Sequence, residues 1–331
     1  MNVLASFCIV IVLALLAIVG VQLGGLYLLF GAVLPYVAIA LFLGGLTYRV
    51  VSWARAPVPF RIPTTCGQQK SLPWIKSSRL DNPHDGVGVL GRMALEVLLF
   101  RSLFRNSRTE LKEGSNKVVF GPDKWLWFGA LLFHYSFLVI FVRHMRFFSE
   151  PVPSLTLLLQ GLDGFFQVGV PVVYMTSFMF LAAVAYLFAR RIISPMVRYI
   201  SLPADYFPLF LLLGIGTTGV LLRHIVKTDV VGVKELGMGL LSFSPVASQD
   251  LHYLFYVHLF LVTVLIAYFP FSKLVHMAGV FLSPTRNLAN NNRKRRHVNP
   301  WDYAVKTHTY QEYEEEFRDK MIKAGIPVEK E

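Results

Sequence analysis

The sequence predicts an all-α fold, a polytopic bundle of transmembrane helices, on three observations. Of 331 residues, 54% are hydrophobic and only 16% charged, a balance that belongs to membrane proteins. Apolar runs of roughly 20 residues recur, the length a helix needs to cross the hydrocarbon core. Basic residues gather in alternate connections between those runs, as the positive-inside rule requires of a multi-pass protein.

The spans follow in order. Between Asn2 and Tyr48 there is no charged side chain, and at about 1.5 Å per residue that stretch exceeds one crossing. Gln22, Leu23, Gly24 and Gly25, and then Gly31, suit a tight hairpin between spans near 3–22 and 30–52. A single tilted first helix would leave five spans instead of six. No basic segment precedes the first apolar run, so it reads as a retained helix rather than a cleaved signal. Four more spans lie near 125–148, 170–190, 205–225 and 250–278.

Residues 54–123 carry eleven Lys and Arg, 189–203 three and 279–331 ten, twenty-four of the 32 in the chain. The opposite connections, 149–169 and 226–248, carry only Lys227 and Lys234. Both termini and the 54–123 loop are therefore expected on the cytoplasmic side of the cell membrane. Within that loop Val89, Leu90, Met93, Val97 and Leu98 recur at helical spacing among Arg92, Arg101 and Arg105. They predict a basic amphipathic helix at the inner membrane surface. The chain thus divides into two N-terminal spans (1–53), a cytoplasmic loop (54–123), a four-helix domain (124–280) and a cytoplasmic tail (281–331). Tyr310 to Ala324 in the tail reads as an exposed helix. The net charge of +12 suits an anionic lipid surface, and Asn290 to Arg296 reads as an anchor behind the last span, not a nucleic-acid site.

The two cysteines, Cys8 and Cys66, fall in an apolar run and a polar loop, so no disulfide is expected. There is neither a C-x-x-C-H haem attachment nor a four-cysteine set for an iron–sulfur cluster. The ionisable groups that stand out are histidines. His134 and His144 lie on the third span, His258 and His276 on the sixth. Ionisable side chains are costly in lipid and mark functional sites. As axial ligands, two such pairs would hold two b haems and make the chain an electron conductor.

Ten residues separate the first two histidines, about 15 Å of helical rise; eighteen separate the other two, about 27 Å along one helix face. Because the spans run antiparallel, the inner His134 falls at the depth of His276, and the outer His144 near that of His258. The two spacings disagree by roughly 12 Å on straight helices. Pro270 is expected to kink the sixth span and absorb the difference. The alternative use of such histidines is packing or proton relay, which would make the chain a transporter or scaffold.

Arg143 in the third span, with Arg223 and His224 at the outer end of the fifth, are candidates to bind a haem propionate or a quinol. Their plainer reading is snorkelling to the headgroups. Gly214 to Gly219 reads G-x-G-x-x-G but lies inside an apolar span. Its small residues are expected to admit a neighbouring helix or a haem face, not a dinucleotide.

The histidine spacing on these two spans resembles the cytochrome b subunit of respiratory nitrate reductase and its relatives, in which two stacked b haems are each held by one His from each of two helices. More narrowly, the loop TTCGQQKSLPWIKSSRLDNP and the tail NPWDYAVKTHTYQEYEEEF resemble the DsrM family, the membrane cytochromes b of the Dsr complexes of dissimilatory sulfur metabolism. The resemblance implies two haem b groups, on His134 with His276 and on His144 with His258. It implies menaquinol as electron donor and a DsrK-like cytoplasmic iron–sulfur partner, with further subunits of the Dsr membrane complex and the carrier DsrC beyond it. The chain would then be the electron-transfer subunit of a menaquinol-linked oxidoreductase in sulfite and sulfate respiration, with no hydrolytic or transferase site of its own. The same residues would serve the reverse flow, from partner to quinone, in a sulfur oxidiser. The extra N-terminal span and the long inner loop depart from the nitrate reductase subunit, so its quinol-site residues are not carried over.

Overall fold

The computed structural model describes residues 2–58, 67–105, 108–112, 114, 117–164, 171–293, 304 and 306–329. Six of its helices are long and apolar enough to cross a membrane. Helix α1 is Asn2–Gln22; α2, Leu34–Arg55, is preceded by a π-helical turn at Leu29–Val33. Gly25 sits between them at φ +60°, a left-handed conformation that glycine takes without strain. The 54–123 loop holds α3, Gly86–Leu99, a 3₁₀ turn at Arg101–Phe104, and a hairpin of β1, Arg108–Lys112, and β2, Lys117–Gly121. The strands pair antiparallel with Arg108 opposite Gly121. The third span is α4, Lys124–His144; α5 is Ser154–Asp163; the fourth span is α6, Met175–Ile193; α7 is Pro195–Ile200. The fifth span is α8, Pro203–Leu221, continued by a π-helical turn at Leu222–Val226; α9 is Val230–Leu241; the sixth span is α10, Tyr253–Tyr268. Short helices α11, His276–Leu282, and α12, Pro284–Asn287, follow, and α13, Tyr310–Lys323, occupies the tail. Cys66, the basic run from Lys294 to Arg296, and His297 lie outside the described residues.

Large apolar side chains cover the outside of the spans, among them Leu15 and Leu16 on α1, Leu41 and Leu43 on α2, and Leu138 and Phe141 on α4. Such a surface is stable against lipid and not against water. The interior is built from two clusters. Ala17, Val21, Leu211, Tyr256 and Leu261 anchor one; Phe180, Val184 and Leu212 anchor the other. Helix α4 packs on α6, α6 on α8, and α8 on α10, while α1 lies against both α8 and α10, and α2 beside α10. Among the described residues no packing of that order joins α4 to α10. Within the series α4, α6, α8 and α10 the two histidine-bearing spans are therefore the ends of an arc.

The sixth span is shorter than the 250–278 helix that the apolar run suggests. Pro270 cannot donate to the helical ladder, and its ring crowds the preceding turn. Helix α10 gives way there to 3₁₀ turns at Phe269–Phe271 and Lys273–Val275, separated by an extended Ser272 (φ −120°, ψ 178°). The break is a helix end rather than a kink, so His258 and His276 do not share one helix face. Arg49 Nε donates to the Pro270 carbonyl at 3.2 Å, giving a partner to an acceptor at the broken helix end.

Ion pairs tie the spans at the end nearest α3. Arg190 reaches Asp123 at 2.8 Å, and Lys273 reaches Asp205 at 2.6 Å. The loop between the second and third spans folds back onto the segment behind the last span. Asn290 Nδ2 donates to Asn82 Oδ1 and its N–H to the Pro83 carbonyl, both at 2.6 Å. The amphipathic helix expected there exists as α3, and Arg101 and Arg105 beyond it donate to Asp81 at 2.9 and 3.0 Å. Burial pushes the Asp81 carboxyl up, but Arg101, Ser78 and Arg105 outweigh it and hold the group below the usual carboxylate range.

A depressed carboxyl contributes stability that is fully present above its unfolded pKa and is lost as pH falls through its folded pKa. Asp81→Asn is therefore expected to destabilise the loop unit by about 1 kcal/mol at neutral pH. Limited proteolysis of the 67–105 segment should run faster in the variant at neutral pH, and the two proteins should converge below the carboxylate range.

Candidate functional site

The four histidines meet two by two across the gap at the open side of the arc. The His134 and His276 rings lie 6.0 Å apart between centroids with an interplanar angle of 89°. The His144 and His258 rings lie 6.5 Å apart at 18°. A metal bound at about 2 Å by one nitrogen of each ring, with about 1.2 Å from that nitrogen to its centroid, would set two centroids about 6.4 Å apart. Both separations match that value to within a few tenths of an ångström. Among the described residues no group of three or more His, Cys, Asp and Glu side chains converges as a metal cluster would.

The helix break removes the mismatch in spacing. From His258 to Tyr268 the chain stays helical and rises about 15 Å, as does the stretch from His134 to His144. Beyond Tyr268 the two 3₁₀ turns deliver His276 against His134.

Each ring is fixed through its Nδ1. That atom lies 2.8 Å from the Ala130 carbonyl in His134, 2.7 Å from the Ile140 carbonyl in His144 and 2.9 Å from the Lys273 carbonyl in His276. In His258 it lies 2.9 Å from Thr218 Oγ1, whose own hydrogen bonds go to the Gly214 and Ile215 carbonyls at 2.7 and 3.0 Å. The Thr218 hydroxyl donates there and so accepts from His258. An Nδ1–H committed in this way leaves Nε2 with its lone pair, the tautomer that a metal takes. The glycine run serves close approach: a Cβ on Gly219 would meet His258 Cε1 at 3.2 Å, so glycine lets α8 lie against that ring.

At the end of α4 that carries His144, Arg143 is buried in an ion pair with Asp163 and stands 3.4 Å from Thr176 Oγ1. Its guanidinium carbon lies 3.7 Å from the Tyr174 ring centroid, and that of Arg223 lies 4.0 Å from the same ring. Arg223 donates through Nε and Nη2 to the Val172 carbonyl at 3.1 and 2.9 Å. Asp163 also accepts from the Thr176 N–H at 2.8 Å and its hydroxyl at 2.6 Å. The structure thus gathers Arg143 and Arg223 on one tyrosine and gives Arg143 an internal anion. His224 stands half-exposed beside Phe178, ring centroids 6.4 Å apart. Asp163, Thr176 and Tyr174 are absent from the sequence reading. The available signal is that Asp163 is one of two acidic residues in the connection 149–169.

A bundle of apolar helices whose antiparallel spans bring histidines together in pairs is the architecture of a polytopic membrane cytochrome b. Residues 88–293 match the nitrate reductase gamma subunit family, and the chain belongs to that family. Two relatives are named Hdr-like menaquinol oxidoreductase cytochrome b-like subunits. The one from Archaeoglobus fulgidus is 47% identical over 283 residues, covering 83% of this chain and 84% of the relative. The one from Archaeoglobus profundus is 44% identical over 276 residues, 81% of each. The family match takes in most of α3 and the last four spans; α1 and α2 precede it.

Breaking a buried ion pair from one side costs about 3–5 kcal/mol, because the remaining charge is stranded. Arg143→Met should lower stability by that order in thermal unfolding of the detergent-solubilised protein. Adding Asp163→Asn should recover most of the loss; an unrecovered double variant would mean that Arg143 acts through something other than Asp163.

Proposed function

We propose that this chain is the dihaem cytochrome b subunit of a menaquinol-linked oxidoreductase, passing electrons between menaquinol on the outer side and a cytoplasmic iron–sulfur partner. His144 and His258 would hold the outer b haem, and His134 and His276 the inner one. The observation that carries this reading is the meeting of four histidines in two pairs, 6.0 and 6.5 Å between centroids, with every Nδ1 already engaged. Bound haem supplies one-electron chemistry; the protein supplies ligands, burial and orientation, which set the potentials. The Ala130, Ile140 and Lys273 carbonyls and the Thr218 hydroxyl would keep each Nε2 turned inward. Centres at two depths give a path across the bilayer.

Menaquinol would bind on the outer side near Arg223 and His224, with Tyr174 holding Arg143 and Arg223 in place. The protons it releases there would stay outside, making the transfer electrogenic. The names of the two relatives support the menaquinol assignment. The absence of a cluster motif from the sequence supports a separate iron–sulfur subunit. The loop and tail motifs resembling the DsrM family favour a DsrK-like partner in a Dsr complex of sulfite and sulfate respiration. The charge asymmetry of the connections supports cytoplasmic termini, and the 54–123 loop and tail are then the surfaces facing that partner.

Alanine substitution of each histidine tests the pairing. Pyridine haemochrome spectra and redox titration should show His134→Ala and His276→Ala losing one and the same haem, and His144→Ala and His258→Ala losing the other. Loss of different haems within a pair would overturn the assignment. A menaquinol analogue should reduce the haems of the intact protein, and Arg223→Ala should slow that reduction by at least tenfold.

A further inference from the structure

Helix α3 ends against α4 directly over the inner histidine pair. The last carbonyls of a helix have no partner within it. Here two of them are taken by side chains of α4: Tyr135 Oη donates to the Leu98 carbonyl at 2.8 Å, and Trp127 Nε1 donates to the Leu99 carbonyl at 2.7 Å. Phe104, in the 3₁₀ turn that follows, lies 5.0 Å from the Trp127 ring. Between these anchors stands Phe100, the C-terminal cap of α3, at φ +48° and ψ +45°. Helices that end in this left-handed conformation ordinarily use glycine, since a bulky side chain is strained there. Strain of this kind collects where the surroundings make use of it.

The use is visible in what Phe100 touches. Its ring meets His134 edge to face, 4.8 Å between centroids at 71°. Phe133 meets the same imidazole at 4.9 Å and 82°. With Nδ1 tied to the Ala130 carbonyl, His134 is gripped at three points, and the ring stands at 89° to that of His276. We propose that α3 is a cap over the His134 side of the inner histidine pair and that Phe100 is a positioning residue for His134, fixing the angle between the His134 and His276 rings and shielding His134, while His276 stays exposed. The proposal rests on the haem-ligand reading of that pair.

Two consequences follow from coordination chemistry. The angle between two axial imidazole planes governs the anisotropy of a low-spin ferric haem. The inner site, near-perpendicular, should therefore show a much larger maximum g value than the outer site, whose rings lie 18° apart. Further water admitted on the His134 side would favour the charged ferric form and lower its potential.

Phe100→Gly suits the left-handed backbone and removes only the ring, so the variant should fold. Electron paramagnetic resonance and redox titration of the full-length protein should show the large-g signal shifting or broadening. The inner potential should fall by about 59 mV, a tenfold change for one electron, while the outer signal and potential stay in place. Trp127→Phe combined with Tyr135→Phe, which loosens the cap without touching Phe100, should move the same signal in the same direction, and Phe100→Tyr should leave it near wild type. Two haems with an inner signal unmoved by both variants, or both haems moving together, would sink the cap. Fewer than two haems in the unaltered protein would sink the pairing itself, and the cap with it.

Discussion

The rest of this bundle is arranged around one feature: four imidazoles that meet in two pairs, each with its Nδ1 engaged by the protein. A polar group stranded in hydrocarbon is expensive, and two antiparallel helices that met through bare histidines would strand several. The chain solves this locally. Three of the rings turn their Nδ1 onto a carbonyl three or four residues earlier in the chain, and the fourth turns it onto Thr218 of the neighbouring span. With Nδ1–H committed, each ring keeps its lone pair on Nε2. The packed spans from α4 through α6 and α8 to α10 bring the histidine-bearing segments together, and Gly219 thins α8 where it passes His258.

The same feature explains the break in the last span. Continued as one helix, it would carry His276 far from the depth of His134. Pro270 ends the helix, Ser272 extends the chain, and a new helix opens on His276 itself. The cost of the broken ladder is limited by Arg49, which reaches across from α2 to the freed Pro270 carbonyl, and by Lys273, which pairs with Asp205 at the foot of α8. The end that carries His134 and His276 is thus irregular and polar, with α3 against His134, whereas the end that carries His144 is built around a buried ion pair and a tyrosine flanked by two arginines.

Most of this framework is legible in the sequence because it depends on local pattern. Apolar run length marks all six spans, alternation of basic loops suggests their direction, and histidines in such runs stand out by their cost. What is illegible depends on tertiary geometry. Proline at position 270 signals a disruption, but whether the helix kinks or ends is decided by Ser272 and by the donors that wait at the break. The hairpin of β1 and β2 leaves no alternating burial pattern, since nearly all of its residues are exposed. Arg143 can be suspected of binding an anion from its position alone, but the internal carboxylate of Asp163 comes from a connection that reads as featureless. Phe100 is one of 27 phenylalanines and becomes distinctive only through its backbone angle and its contact with His134.

The most direct test of the central claim is an electron cryomicroscopy map of the full-length chain purified with its haem. Two macrocycles should appear, one between His134 and His276 and one between His144 and His258, each iron bridged by Nε2 atoms from both sides. A haem ligated by any other residue, or either pair in direct contact with no macrocycle between its rings, would contradict it.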